Sequence, residues 1–470
     1  MDQMNTSLEE LLRTSFRGNI VGKNLTQKAG LNYLPRYVAE FILGNYLDRF
    51  EDPDIAIKEA KAFVTTHYPE NNSGELLKHK LLEEGEIKIL QKYDVTVNLK
   101  KEEYYATTPI LHEKIHVDPN YTSYYPALLT TGMWGLGHLY YIPSDQSDYK
   151  MELVDFKPFQ LGSFDRDEFF TSRLNFSLTQ WIDLLITSLG LNAHYLSDKQ
   201  KLLIIARLIP LVSQNLNIAE FGPKSTGKTY QYRNHSSYTH VVSGSSITPA
   251  KLIFDLRNHQ AGLISTSDVI AFDEVTGADF GDKKDFELIG LLKDYMEGGN
   301  VSRGIFEVNE DASLVFLGNI EIRGEKPKFN DFVRELPAAF SDSAFIDRIH
   351  GIIPGWEIPK IAQTEVAFTT ETGLISNYIG EAFHNLRSWD HPSLNWKQIN
   401  LDLKYYRNEN AVRKLTNGLL KLLFPGVTAT SEEINLCLGL ACELRQVVYD
   451  QLSALEPDEF GRHRLSARIR

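Results

Sequence analysis

The sequence predicts an α/β protein, with a parallel sheet in its second half, a helical region after the sheet and a mixed α and β region before it. From about residue 197, short apolar stretches alternate with helical ones, an order that is typical of parallel sheets. The first of these stretches, Leu216–Phe221, runs directly into a glycine-rich turn. Upstream, the spacing of apolar residues changes from a helical period to an alternating one at about residue 86.

The same changes of pattern divide the chain into four predicted regions. Residues 1–85 read as helical, with polar or proline residues at the helix starts. Residues 86–163 contain five short strands, which suit a small β barrel or sandwich of the oligonucleotide-binding sort. Residues 164–360 hold a helical connector and the parallel-sheet core, and residues 361–470 read as a helical lid with a basic tail.

The segment Gly222–Thr229 has the spacing G-x-x-x-x-G-K-T of a phosphate-binding loop. Gly222 and Gly227 permit backbone conformations in which successive N–H groups turn inward on a phosphate. Lys228 supplies a charge for the β- and γ-phosphates, and Thr229 is placed to bind Mg²⁺ where the next helix begins. The predicted nucleotide contacts are Gly222, Pro223, Lys224, Ser225, Thr226, Gly227, Lys228, Thr229 and, from the next motif, Asp273.

A second motif follows about 45 residues later, where the apolar stretch Asp268–Phe272 ends in the acidic pair Asp273 and Glu274. Asp273 would hold Mg²⁺ through water, and Glu274 would polarise the attacking water. A further strand, Ser313–Leu317, leads to Asn319, which is placed to contact the γ-phosphate or that water. The three motifs together predict an ATPase that uses ATP and Mg²⁺.

A parallel core followed by a helical lid is typical of the AAA+ class, and two arginines fit that class. Arg348 lies after the Asn319 strand, where AAA+ proteins carry an arginine that reaches the γ-phosphate bound by the neighbouring subunit. Arg413 matches the lid position that senses the γ-phosphate. The alternative for both arginines is that they are ordinary surface residues that form ion pairs. If Arg348 acts on a neighbour, the active form must be a ring.

Composition limits the partners of the chain. The formal net charge of -13 means that the molecule as a whole repels DNA, so DNA binding would need local basic patches. The two cysteines, Cys437 and Cys442, share no helix face and are predicted to be buried thiols rather than metal ligands. The N-terminus lacks the features of a signal peptide, and no run approaches about eighteen apolar residues. We therefore expect a cytoplasmic protein with no membrane segment.

Two groups of cations are candidates for contacting DNA. The first lies in a glycine-punctuated stretch near the N-terminus, where basic side chains can approach phosphates closely. The second lies between the acidic pair and the strand Ser313–Leu317. A solvated loop face is the alternative for each residue of the first group. The candidates are Arg17, Lys23, Lys28 and Arg36 in the first group and Lys283, Lys284 and Arg303 in the second.

Further stretches accompany the phosphate loop in a specific order: Ala206–Val212, Ala271–Val275, Lys293–Gly298, Asp347–Gly351 and Pro354–Lys360. Together they resemble the BrxL family, the Lon-related proteins of bacterial BREX phage-defence systems, over residues 8 to 455 approximately. The resemblance implies an N-terminal DNA-binding region and an AAA+ motor akin to that of MCM helicases. It also implies hexameric rings, alone or stacked as dodecamers, that block phage infection alongside other BREX proteins.

Two features bear on the choice of substrate. Longer members of the family carry a C-terminal domain that resembles Lon protease, whereas this sequence ends at Arg470 and offers no convincing Ser/Lys pair, so we do not expect peptidase activity. The stretches Val242–Thr248 and His259–Gly262 lack the aromatic loop with which protein unfoldases grip polypeptide. The sequence therefore favours a motor on double-stranded DNA. A protein-remodelling ATPase and an ATP-controlled assembly scaffold are the alternatives.

Overall fold

The computed structural model describes residues 8–70, 72–143, 149–161, 164–243, 247–256, 260–277, 283–337, 341–361 and 367–469. The chain forms two units. The barrel unit consists of Gly18–Phe164 and Ile375–Tyr378. The sheet unit consists of Met1–Arg17, Asp165–Leu374 and Ile379–Arg470. Among the described residues, every helix is too short or too polar to cross a membrane.

Two helices of the barrel unit enclose an apolar cluster. The helix Arg36–Leu47 follows Pro35, whose fixed backbone angle suits a helix start. The helix Pro53–His67 begins after Asp52, whose carboxylate accepts a hydrogen bond from the Asp54 N–H. The other helices of this unit are Leu25–Lys28, Gly74–Glu84 and Pro119–Tyr124, and a short strand spans Ile20–Gly22.

Five strands of the same unit close into a barrel. Their order around the barrel is Glu86–Asn98, Glu103–Thr107, Ile115–Val117, Met151–Pro158 and Met133–Tyr141. Side chains fill the interior, where the fully buried Tyr93 hydroxyl donates a hydrogen bond to the Ile89 carbonyl at 3.1 Å. A Cβ at position 137 would lie 2.2 Å from that hydroxyl oxygen, so only Gly137 fits there. The small β barrel predicted for this region is confirmed.

A buried ion cluster joins two distant parts of the barrel unit. The Glu40 carboxylate is fully buried and accepts hydrogen bonds from Lys23 Nζ at 2.8 and 2.9 Å and from Arg36 Nε at 2.6 Å. It also accepts hydrogen bonds from the N–H and the hydroxyl of Ser376, each at 2.8 Å. Burial alone would raise the pKa of Glu40, but the two cations outweigh burial and lower the pKa to about 2.

Replacing Glu40 with Gln is expected to destabilise the barrel unit at neutral pH by about 3–5 kcal/mol, because two buried cations lose their counter-charge. The lowered pKa of Glu40 means that its stabilising effect is complete above pH 4.5 and is lost as the pH falls towards about 2. The variant should therefore lose less stability than the parent over that range. Urea denaturation followed by circular dichroism at several pH values measures both effects.

The control for this variant is Glu75→Gln, since Glu75 is 89% exposed and its ion pair with Lys78 lies at the surface. We expect this control to unfold at nearly the same urea concentration as the parent. An equally small effect of Glu40→Gln would show that the buried cluster contributes little to stability.

The sheet unit is organised around five parallel strands. Their spatial order is Gly351–Pro354, Ile218–Gly222, Ser313–Asn319, Val269–Asp273 and Thr239–Ser243. Numbered along the chain, the strands therefore stand in the order 5-1-4-3-2. All residues of the second of these strands are buried, as expected where helices cover both faces of a sheet. The predicted α/β class with a parallel sheet is confirmed.

The helices of the sheet unit include the one predicted to begin the chain. The helix Leu8–Ser15 was expected to belong to a helical N-terminal region, but the adjoining Phe16 packs against Phe169, Phe176 and Trp181 of this unit. The other helices are Arg166–Arg173, Leu178–Ser188, Asp198–Ala206, Lys228–Asn234, Pro249–Leu252, Lys283–Gly298, Ser343–Asp347, Ser376–Leu386, Tyr406–Leu423, Ser431–Leu455 and Pro457–Phe460. The first three residues of Ser376–Leu386 are counted with the barrel unit.

Several two-stranded ribbons complete the sheet unit. Three of them pair Phe254–Asp255 with Gln260–Ala261, Asn300–Arg303 with Phe306–Asn309, and Ile322–Arg323 with Lys326–Pro327. The fourth pairs Ile399–Asp402 with Ser466–Ile469, so the basic tail ends in an ordered strand. A further strand spans Thr372–Leu374. Cys437 and Cys442 are buried free thiols, as predicted.

Candidate active site

The three sequence motifs meet at the carboxyl edge of the parallel sheet. Gly222, at the end of its strand, is paired with Asn319, and Asp273 ends the next strand in the sheet. Ligands of open α/β sheets bind at this edge. A cleft of about 260 Å³ opens here. It is lined by Lys224, Ser225, Thr226, Gly227, Lys228, Thr229, Tyr230, Asp273, Glu274, Leu317, Gly318 and Asn319.

The phosphate loop has the backbone geometry that anion binding requires. Ser225 and Gly227 have left-handed conformations, with φ of 67° and 77°. Alternation of left- and right-handed residues directs successive N–H groups to the same side, which creates a concave site for an anion. Gly222 is required for a second reason, because a Cβ there would lie 2.6 Å from the carbonyl carbon of Gly355. The loop therefore depends on its glycines for conformation and for close packing.

Lys228 lies within the loop and also reaches the tip of the neighbouring strand. Its Nζ donates hydrogen bonds to the carbonyls of Pro223 at 2.7 Å and Gly222 at 3.3 Å. The same atom donates to Asn319 Oδ1 at 3.2 Å. Burial lowers the pKa of Lys228 from its ordinary value. The structure thus brings together the predicted phosphate-binding cation and the predicted polar strand tip.

The two predicted Mg²⁺ ligands are in direct contact. Thr229 Oγ1 donates a hydrogen bond to Asp273 Oδ1 at 2.9 Å. A hydroxyl and a carboxylate are the oxygen donors that Mg²⁺ prefers, usually together with water and substrate phosphates. The described residues therefore fit a nucleotide-bound Mg²⁺ at this edge of the sheet.

Glu274 has an unusual backbone conformation next to these ligands. Its φ is 57°, a left-handed value that costs on the order of 1–3 kcal/mol for a residue with a side chain. The Glu274 N–H donates to Asp273 Oδ1 at 3.0 Å, which holds this conformation. The side chain is exposed and lines the cleft. A carboxylate at the edge of the cleft is suitably placed to act on a water molecule.

Sequence reasoning missed one residue that orients the strand tip. Thr276 Oγ1 accepts a hydrogen bond from the Asn319 N–H at 3.1 Å, and its methyl carbon packs against Gly318. Thr276 follows the acidic pair but belongs to none of the three motifs. Tyr230, which lines the cleft, was also not predicted. The sequence offered one signal for Thr276 and Tyr230, which was their position next to a motif.

The two predicted γ-phosphate arginines do not line the cleft of their own chain. Arg348 Nε lies 3.0 Å from the Glu297 carboxylate, and its Nη1 donates to the Ala344 carbonyl at 2.7 Å. Arg413 donates to Glu409 at 2.6 and 2.9 Å. Its guanidinium also lies 4.3 Å from the centre of the Trp396 ring. Both roles therefore require a second subunit or a movement of the lid.

Two predicted DNA contacts in the barrel unit are wrong. The side chain of Lys23 is fully buried and that of Arg36 is 9% exposed, because both bind the Glu40 carboxylate. Neither can reach a phosphate without breaking the ion cluster. Arg17 and Lys28 are exposed, and their predicted role stands as a prediction.

One member of the second group of DNA candidates has a hydrogen-bond partner within its own chain. Arg303 is half-buried, and its guanidinium donates to the Phe254 carbonyl of the neighbouring ribbon. This hydrogen bond joins the two ribbons, and the predicted DNA contact by Arg303 stays a prediction. Lys283 and Lys284 are the first residues of the helix Lys283–Gly298, and their side chains lie outside the described part of the structure.

The fold and the site define an ATPase of the AAA+ class, with a phosphate loop, an acidic pair and a polar strand tip at one edge of a parallel sheet. Residues 151–466 match the family model "Lon-like protease BrxL-like, ATPase domain". Residues 14–141 match the model "BREX system Lon protease-like protein BrxL N-terminal". The chain therefore belongs to the BrxL family.

Two BrxL proteins agree with this assignment. Over 461 residues, 96% of this chain, it is 35% identical to the Lon-like protease BrxL of Escherichia coli O9:H4 (strain HS) and 33% identical to that of Bacillus cereus (strain H3081.97). The chain spans 66% and 67% of the length of these relatives. A solved full-length MCM homolog from Methanopyrus kandleri is similar over 77% of both chains, with a TM-score of 0.43 and 11% identity.

Proposed function

We propose that this chain is a ring-forming motor that hydrolyses ATP and acts on double-stranded DNA in phage defence, together with other BREX proteins. The contact between Thr229 and Asp273, beside Lys228, is the observation that carries the ATPase part. Family membership supports the role in defence. The exposed Arg17 and Lys28 are the described residues that support DNA binding.

Each described side chain of the site has its own role in ATP hydrolysis. Loop N–H groups and Lys228 bind the phosphates. Thr229 and Asp273 would hold Mg²⁺, which would neutralise charge on the phosphate oxygens. Glu274 orients a water molecule and accepts its proton as that water attacks the γ-phosphorus. Asn319 is placed to hold the same water or a γ-phosphate oxygen. Loss of the γ-phosphate after hydrolysis would release these contacts and allow the lid to move.

Replacing Glu274 with Gln is expected to slow ATP hydrolysis at least about 100-fold, because the amide cannot accept the proton of the attacking water. ATP affinity should stay close to that of the parent, since the loop, Lys228 and Asp273 are unchanged. Phosphate release and equilibrium nucleotide binding measure the two effects. The control is Glu287→Gln, an exposed carboxylate on the helix Lys283–Gly298. A Glu274→Gln protein that hydrolyses ATP at the parent rate would remove Glu274 from the mechanism.

DNA binding is tested by the affinity for a duplex at several salt concentrations. Phosphate contacts make the logarithm of the binding constant fall with the logarithm of the salt concentration, with a slope of about -0.9 per contact. We expect such a slope despite the net charge of -13, because local cations carry the interaction. Absence of binding at low salt would contradict the DNA part of the proposal and leave the ATPase part intact.

One observation favours protein remodelling as the second candidate function. Ile305, at the turn between the strands Asn300–Arg303 and Phe306–Asn309, is 93% exposed. The turn is held in place, because the rings of Phe254 and Phe306 stack with centres 4.3 Å apart. A fixed, exposed aliphatic residue resembles the apolar grip of protein unfoldases more than it resembles a phosphate contact.

Replacing Ile305 with Ser separates the two candidate functions. A motor that acts on DNA through cations should keep its DNA-stimulated hydrolysis, whereas a motor that grips polypeptide through Ile305 should lose most of its stimulation by an unfolded protein. The control is Leu99→Ser, which changes a residue that is 85% exposed in the barrel unit. Our proposal predicts that the two variants behave alike in the presence of DNA. A selective loss of polypeptide stimulation in Ile305→Ser would favour the remodelling function.

A further inference from the structure

A buried ion pair lies next to the phosphate loop. Arg207 follows the helix Asp198–Ala206, and Glu220 lies within the strand Ile218–Gly222. The Arg207 guanidinium donates to the Glu220 carboxylate through Nε at 2.7 Å and through Nη2 at 2.6 Å, and both side chains are 1% exposed. The third nitrogen, Nη1, donates to the Thr226 carbonyl at 3.2 Å. The ion pair is therefore joined directly to the loop.

The orientation of the carbonyl groups in a phosphate loop is restricted. Its N–H groups must point at the phosphate, so its C=O groups must point away from it. A carbonyl that is buried without a donor is costly, and the peptide can rotate to find one. Thr226 is 3% exposed, and its carbonyl receives the Arg207 donor. The preceding carbonyl, of Ser225, accepts the Ile361 N–H at 2.8 Å. Two consecutive loop carbonyls thus accept hydrogen bonds from donors outside the loop.

Arg207 is itself held in a fixed position. Its carbonyl accepts a hydrogen bond from the Tyr232 hydroxyl at 2.7 Å, and Tyr232 lies in the helix that follows the loop. Its partner is equally confined, because a Cβ at Gly355 would lie 3.0 Å from Glu220 Oε1. A guanidinium can bind the carboxylate through two donors and still offer a third to the loop, whereas a Lys ammonium lacks this planar fork.

We infer that Arg207 is a positioning residue for nucleotide binding, which holds the Thr226 peptide in the orientation that presents the loop N–H groups to the phosphates. Glu220 orients Arg207 and balances its charge. The inference rests on nucleotide binding in the cleft and extends it, because neither Arg207 nor Glu220 is among the cleft-lining residues. It assigns part of the nucleotide affinity to a pair of charges outside the cleft.

The test is the double variant Arg207→Met/Glu220→Leu. Removing one partner alone would leave an unpaired buried charge, whereas replacing both with apolar residues of similar size is often neutral for stability. The double variant leaves the Thr226 carbonyl without its donor. We expect the dissociation constants of ATP and ADP to rise about 10- to 100-fold. Isothermal titration calorimetry measures them, and thermal denaturation without nucleotide should give nearly the melting temperature of the parent.

Two further variants distinguish a positioning role from a merely structural one. Lys201→Met/Asp183→Leu removes an ion pair of 2.6 Å in the same unit that does not contact the loop, and it should bind nucleotide as the parent does. Arg207→Lys keeps the positive charge but lacks the planar fork of guanidinium donors. Its nucleotide affinity should therefore lie between those of the double variant and the parent.

Two results with the double variant would overturn the inference. One is a double variant that binds ATP and ADP with the affinity of the parent. The other is a double variant that melts at a lower temperature while its folded fraction binds nucleotide normally, since that behaviour belongs to a purely structural pair. Failure of the parent protein itself to bind nucleotide would also overturn it, but that result is obtained without any variant and refutes the proposed ATPase function as well.

Discussion

Replacing Lys228 with Ala is expected to abolish ATP hydrolysis and to weaken nucleotide binding by at least about 100-fold, which corresponds to about 2.7 kcal/mol. The ammonium group lies inside the phosphate loop and reaches Asn319 at 3.2 Å, so it is placed to contact both the β- and the γ-phosphate. Its removal takes away the one loop side chain that carries a buried positive charge. Calorimetric titration with ATP and a phosphate-release assay measure the two losses.

The matched control for this variant is Lys224→Ala in the same loop. Lys224 is exposed, and a residue at this loop position contributes its backbone N–H rather than its side chain. We expect the control to keep most of the binding and hydrolysis of the parent. A Lys228→Ala protein that binds ATP like this control would mean that the cleft is not the nucleotide site.

Replacing Arg348 with Ala is expected to slow hydrolysis by on the order of 10³ or more while leaving nucleotide affinity nearly unchanged. The reason is that an arginine supplied by a neighbouring subunit stabilises charge on the γ-phosphate only in the transition state. Within its own chain Arg348 is ion-paired with Glu297 and lies outside the cleft lining. The control is Arg334→Ala, since Arg334 is a 60% exposed arginine that is paired with Asp331.

Mixing two inactive proteins tests whether Arg348 acts on a neighbour. A Lys228→Ala subunit would lack nucleotide but supply Arg348, and an Arg348→Ala subunit would bind nucleotide but lack the arginine. Where one stands beside the other in a ring, one complete site forms, so mixed proteins should recover part of the parent rate. Mixtures that stay as inactive as the separate proteins would contradict action in trans.

The chemical core of the site could be predicted because each part is encoded locally. Gly222, Gly227, Lys228 and Thr229 lie within one short turn, and the chain geometry of strand, turn and helix fixes their relative positions. The meeting of this turn with the acidic pair and with Asn319 follows from a general rule, since parallel strands end at one edge of a sheet. Sequence order alone was therefore sufficient to predict the cleft.

The failed predictions share one physical cause, which is pairing with a buried carboxylate. Lys23 and Arg36 look like free cations in the sequence, but both bind Glu40. The i,i+4 spacing of Arg36 and Glu40 was a local signal that these two could pair, but no local pattern reveals that Glu40 also binds Lys23 and Ser376. Exposure of a charged residue is thus the property that sequence reasoning judges least well.

Arg207 and Glu220 illustrate an intermediate case. Each is a single charged residue within an apolar stretch, in Ala206–Val212 and Leu216–Phe221 respectively. A charge within a buried apolar stretch requires a partner, so the sequence carried a signal that both residues are paired. It carried no signal that they are paired with each other, or that the third donor of Arg207 reaches Thr226.

The most direct test of the proposed function is the steady-state rate of ATP hydrolysis by the parent protein, at moderate salt, alone, with double-stranded DNA and with an unfolded protein. Glu274→Gln measured in parallel gives the background rate. We predict stimulation by DNA and none by the unfolded protein. Stimulation by the unfolded protein alone would contradict the DNA motor in favour of a remodelling ATPase, and an unstimulated rate under all conditions would favour an ATP-controlled scaffold.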